Sequence, residues 1–147
     1  MTTYVHATCV ALQAAGRWRG ILLRGPSGAG KSDLALRLVE GGARLVADDQ
    51  TALARQGRGL VATPPGTLAG LLEVRGIGIV KLGRAQRLAR ATVALVVDLV
   101  PPDRIERLPD PARETLFDVE LPVLALTPFE ASAPVKLRLA LARTAAA

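Results

Sequence analysis

Cysteine and histidine occur once each in these 147 residues, as Cys9 and His6, and only Tyr4, Trp18, Phe117 and Phe129 are aromatic. One cysteine cannot close an internal disulfide, so the fold must rest on its core, and a reducing cytoplasm is the natural compartment. The apolar runs are strand-sized and broken by Arg, Gly or Pro, which excludes a membrane-spanning helix. Residues 1–6 lack the basic start and long apolar stretch of a secretory signal. The formal charge of +6 is scattered along the chain, and four aromatics leave little for stacking on bases, so nucleic acid is not an expected partner. A basic surface serves phosphates or an acidic protein partner equally well. Half the residues are hydrophobic. At this length one domain, residues 1–147, buries about two thirds of its unfolded surface.

What is present is an unbroken G-x-x-x-x-G-K-S: Gly25, Pro26, Ser27, Gly28, Ala29, Gly30, Lys31 and Ser32. The glycines let consecutive backbone N–H groups turn inward on phosphate oxygens. Lys31 sets a point charge against the β and γ phosphates, and Ser32 offers a hydroxyl to Mg²⁺. An apolar strand at 20–23 precedes the loop, and apolar residues at helical spacing follow it over 32–39, stopping at Gly41-Gly42.

Around this motif the pattern is mostly strands. Residues 4–12 read as one strand and 13–20 as a glycine-bounded turn returning into the strand at 21–23. A strand over 43–47 delivers Asp48 and Asp49 at its C-terminal end. Strand-like pieces follow at 51–55 and 59–63, and 71–80 is apolar but interrupted by Glu73, Arg75 and two glycines. Residues 92–100 form a buried strand, 116–126 are strand-like despite Pro122, and 134–146 read as an amphipathic helix. Hairpin links and two helices do not make a repeating βαβ pattern; the expected class is mixed α/β with many antiparallel strands.

Phosphoryl transfer needs Mg²⁺ ligands and a base for the acceptor hydroxyl. Asp48, Asp49 and Glu73 are the candidates. Adjacent carboxylates repel unless a cation neutralises them. Asp98, ending an apolar run, is a rival through its similarity to the second nucleotide motif of P-loop NTPases.

Together these segments resemble the catalytic domain of bacterial HPr kinase/phosphorylase, which phosphorylates a serine of the phosphocarrier HPr. The likeness rests on the loop at 25–32, on Gly42-Ala43-Arg44-Leu45-Val46-Ala47-Asp48-Asp49, and on Leu72-Glu73-Val74-Arg75-Gly76-Ile77-Gly78-Ile79. Val5-His6 and Glu106-Arg107-Leu108 extend it. The resemblance implies a P-loop kinase domain similar to the nucleotide domain of phosphoenolpyruvate carboxykinase. It implies ATP and Mg²⁺ as cofactors, an HPr-like protein as partner, and a homo-oligomer, hexameric in the family. By position, Lys31 and the loop would hold the β phosphate, while Ser32, Glu73 and Asp49 would serve the metal. Asp48 would take the serine proton or, in reverse, support attack by phosphate on phosphoserine. His6 would orient Asp48, and Arg107 would contact phosphate or partner. A lone strand histidine is more often simply packed or exposed.

Set against the family, the resemblance leads us to expect a form without the N-terminal domain and with a short segment at 80–85, similar to the short forms of alphaproteobacteria. Two further readings share the loop: a kinase of a small metabolite, and a nucleotide-binding regulatory module without transfer. No N-K-x-D for guanine specificity occurs.

Overall fold

The computed structural model describes residues 1–146. The first strands are β1 (Thr2–Val5), β2 (Ala7–Ala14) and β3 (Arg17–Arg24), followed by helix α1 (Lys31–Glu40). Next come β4 (Arg44–Ala47), β5 (Thr51–Gln56), β6 (Gly59–Thr63), β7 (Leu71–Val74), β8 (Gly78–Lys81) and β9 (Ala91–Leu99). The hairpin of β10 (Ala112–Leu116) and β11 (Val119–Leu126) leads into helix α2 (Ala133–Ala146). Nine strands form one sheet, ordered β1-β5-β6-β9-β3-β2-β4, with β10-β11 joined to it through β9. The pairings are antiparallel except that β9 runs parallel to β3 and to β11. The mixed α/β class with many antiparallel strands is therefore observed.

The two-residue period of the strands divides the core. Ile21 and Leu23 of β3 join Val10, Leu95 and Val97 on the face that receives Leu34 and Leu38 of α1 and Leu137 and Leu141 of α2. Leu22, between them in sequence, faces Cys9, Val46, Leu53, Leu60 and Val96 in a second cluster whose buried members all come from strands. Both faces of β2 and β3 are thus covered, which explains their nearly continuous apolar runs.

Three boundaries differ from the sequence pattern. Residues 4–12 are two strands, because the chain bends at His6: β1 pairs with β5, whereas β2 pairs with β3 and β4. The turn at 13–20 shrinks to Ala15-Gly16, both at positive φ, as a two-residue hairpin requires. The strand at 116–126 begins only at Val119, because Phe117 and Asp118 take left-handed φ and turn the chain back along β10. Residues 71–80 resolve into the separate hairpin β7-β8, closed at its base by the Leu82 N–H donating to the Gly70 carbonyl at 2.8 Å.

Candidate active site

Strand β3 delivers Arg24 and then the loop 25–30. The Ala29 N–H donates to the Pro26 carbonyl at 3.0 Å, and Gly28 and Gly30 hold φ of 84° and 96°, where a side chain would be strained. Gly30 caps α1 without any side-chain acceptor, so the helix presents first-turn N–H groups free of a capping side chain. Lys31 is only 5% exposed, and its Nζ donates to the carbonyls of Gly25 at 2.6 Å and Pro26 at 3.1 Å. Those bonds offset the desolvation of the ammonium and keep it inside the loop.

The loop is joined directly to the end of β4. Ser32 Oγ donates to Asp48 Oδ1 at 2.7 Å. The same oxygen accepts from Thr8 Oγ1 at 3.0 Å, and Asp48 Oδ2 accepts from the Glu73 N–H at 3.0 Å. Asp48 is therefore an acceptor held from β2, from α1 and from the β7-β8 hairpin. Asp49 turns the other way at φ 64°, its N–H donating to Thr8 Oγ1 at 3.0 Å and its carboxylate meeting His6 Nε2 at 2.7 Å. His6 and Asp49 are exposed and line a shallow cleft of about 310 Å³ with Tyr4, Val5 and Gln50.

Of the expected site, the structure unites Lys31, Ser32, Asp48 and the Glu73 backbone, with Asp49 and His6 alongside. One assignment changes. His6 bonds Asp49, not Asp48, because the left-handed backbone at Asp49 turns its carboxylate toward His6 while Asp48 faces Thr8, Ser32 and the Glu73 N–H. The Glu73 side chain is exposed, and its main chain makes the contact. Arg107 sits in the exposed segment after the short turn Pro102–Arg104, in no hydrogen bond or ion pair among the described residues. Thr8 went unread. Its signal was a lone hydroxyl in the otherwise apolar run 7–12, which is 0% exposed here.

Beside the loop, Asp98 is engaged by Arg24. Arg24 donates to Asp98 Oδ1 and Oδ2 at 2.8 and 3.0 Å and to Glu114 Oε2 and Oε1 at 2.6 and 2.9 Å. The hydrogen bonds it donates to Glu114 and then to Asp98 push the Arg24 guanidinium further up, and the bond from Arg24 holds the Glu114 carboxyl below its ordinary value. The network ties β3, β9 and β10 together at the residue before Gly25.

Among the described residues no three His, Cys, Asp or Glu side chains gather closely enough to cage a metal. One serine hydroxyl and neighbouring carboxylates suit Mg²⁺, which keeps waters and takes its remaining ligands from phosphates.

The chain is similar to known proteins over most of its length. The family model described as "HPr Serine kinase C-terminal domain" matches residues 1–134. HPr kinase/phosphorylase of Geobacillus thermodenitrificans is 35% identical over 134 residues, covering 85% of this chain and 42% of the relative. That of Bordetella pertussis is 40% identical over 116 residues, covering 74% of this chain and 36% of the relative. The solved structure of the Hpr(Ser) kinase/phosphatase from Coxiella burnetii superposes with a TM-score of 0.78 at 25% identity, covering 96% of this chain and 88% of that one. The chain spans about two fifths of the length of the curated relatives it matches. With a family match over residues 1–134 and a shared fold, this chain belongs to the HPr serine kinase C-terminal domain family.

Proposed function

We propose that this chain transfers the γ-phosphoryl group of ATP to a serine hydroxyl of an HPr-like phosphocarrier protein. The observation that carries the reading is the 2.7 Å bond from Ser32 to Asp48, which sets a carboxylate at the mouth of a phosphate loop. The loop amides and Lys31 hold the phosphates. Ser32, with Glu73 and Asp49 nearby, would hold Mg²⁺, which supplies charge neutralisation at the phosphates. The serine oxygen bonds to the γ phosphorus, the bond from that phosphorus to the bridging oxygen of ADP breaks, and the hydroxyl proton passes to Asp48. Such general-base help is worth about a hundredfold or more in rate. Asp49 and His6, lining the adjacent cleft, orient the incoming serine segment, and Arg107 contacts the partner or its phosphate.

The relatives carry the names HPr kinase/phosphorylase and Hpr(Ser) kinase/phosphatase, which supports a reverse reaction too. In it a phosphate oxygen attacks phosphoserine, releasing pyrophosphate and the free serine. Among the described residues no helix is long and apolar enough to cross a membrane. Cytoplasmic work on a phosphocarrier is consistent with the sole cysteine being a buried thiol.

The test is transfer of label from γ-labelled ATP, with Mg²⁺, to the host's HPr-like protein, for wild type and Asp48→Asn. Label on serine that falls at least about a hundredfold in Asp48→Asn, and is released by phosphate as pyrophosphate, is expected. Tight ATP binding with no label on HPr would transfer the reading to a small-molecule acceptor.

A further inference from the structure

The segment between β11 and α2 lies against the phosphate loop and is fastened there. Arg37 of α1 donates to the Pro128 carbonyl and, at 3.2 Å, to the Glu130 carbonyl, while Lys136 bonds Glu130 Oε1 at 2.8 Å. This brings Pro128 and Phe129 onto Gly30. A Cβ added at Gly30 would stand 2.9 Å from Phe129 Cζ, 3.0 Å from Cε1 and 3.2 Å from Pro128 Cγ. Pro128 is buried, yet Phe129 is 69% exposed. A phenylalanine so placed packs one edge on the loop and leaves most of its apolar surface in water, in a chain with only four aromatic residues.

The topology says what reaches it. β11, β9 and β3 run parallel, so the segment after β11 and the loop after β3 emerge at the same sheet edge. Ligands of α/β sheets lie outside those carboxyl ends. A triphosphate whose terminal groups lay in the loop beside Asp48 would carry its nucleoside outward past the loop's rim, where Phe129 stands against Gly30.

We propose that Phe129 is the platform on which the purine base of the nucleotide stacks, with Arg37 and Pro128 as positioning residues that hold the ring beside the loop. The inference rests on the nucleotide reading above. It explains a solvent-facing ring, because an aromatic face gains binding energy only when a base covers it.

The test is titration calorimetry of the full chain with ATP and with inorganic tripolyphosphate, which has the phosphates and no base, each with Mg²⁺. Phe129→Ala is expected to weaken ATP about tenfold and leave tripolyphosphate unchanged, with Phe129→Trp retaining ATP affinity. Unchanged ATP affinity in Phe129→Ala would overturn the proposal. So would an equal loss for both ligands, which would make Phe129 a support for the loop through Gly30. Wild type binding neither ligand would remove the nucleotide reading itself, and the stacking role with it.

Discussion

Thr8 is where the two aspartates part. Its hydroxyl has one proton, given to Asp48, and its oxygen accepts the Asp49 N–H, so one buried side chain sets the direction of both. Thr8→Val keeps the branching and nearly the volume but leaves the Asp49 N–H without its acceptor. The expected loss is about 1–3 kcal/mol of stability, read as a lower denaturant midpoint. Phosphoryl transfer should fall as well, because Asp48 loses the donor that turns Oδ1 toward Ser32, and Thr8→Ser should recover both properties. A valine variant equal to wild type in midpoint and turnover would show that Ser32 and Glu73 suffice to hold Asp48. Lys31, Ser32 and Asp48 could be read from the sequence because their chemistry sits in contiguous motifs. Thr8 could not, since threonine is an ordinary strand former. The His6–Asp49 pair crosses 43 residues and depends on a left-handed Asp49, which no local pattern encodes.

Strand β3 positions the phosphate loop, and what fixes its last residue is an ion network, not packing alone. Arg24 clamps Asp98 of β9 and Glu114 of β10 on the threshold of Gly25. Glu114 titrates below the ordinary carboxylate value of 4.5 because Arg24 bonds its ionised form. A lowered folded value means that the native state binds the proton less readily than the unfolded chain. The contribution is therefore complete at neutral pH and is lost as pH falls below 4.5 through the folded value. Glu114→Gln should accordingly narrow the gap between thermal midpoints at pH 7 and pH 3, measured by circular dichroism. With the Glu114 side chain 39% exposed the change should be modest and should shrink in high salt. An unchanged gap would mean that Asp98 alone anchors Arg24. Elements with strong punctuation were legible: α1 between Gly30 and Gly41, and β9 ending before Pro101. β10 was not, because Ala112–Leu116 is largely polar and exposed and becomes a strand only by pairing with β11. The split at His6 was equally hidden, since both halves are extended and only their partners differ.

At the scale of the whole molecule, the single cysteine reports whether the sheet behaves as one unit. Cys9 lies in β2 opposite Leu22 and Ala47, is 0% exposed, and has its thiol pushed up to about 12 by burial. The reactive species is the thiolate, so a native thiol both inaccessible and protonated should resist a disulfide reagent at neutral pH and react only when the core opens. Labelling in the native state should then follow the opening equilibrium and accelerate with denaturant as global stability falls. The same strand carries Thr8, and its neighbour β3 carries the phosphate loop, so an opening that frees Cys9 also dismantles the site. A nucleotide that binds only the folded chain should slow labelling by the factor 1 + [L]/Kd, about a hundredfold at one hundred times Kd. Labelling that is slow but indifferent to ATP would mean that β2 opens toward the strand-only cluster while α1 and the loop stay in place, making the two core faces separate cooperative units. Labelling at the rate of a free thiol would contradict the burial of Cys9 itself. Nucleotide-dependent protection from a residue that touches no nucleotide would show that one cooperative sheet supports both the core and the phosphate loop.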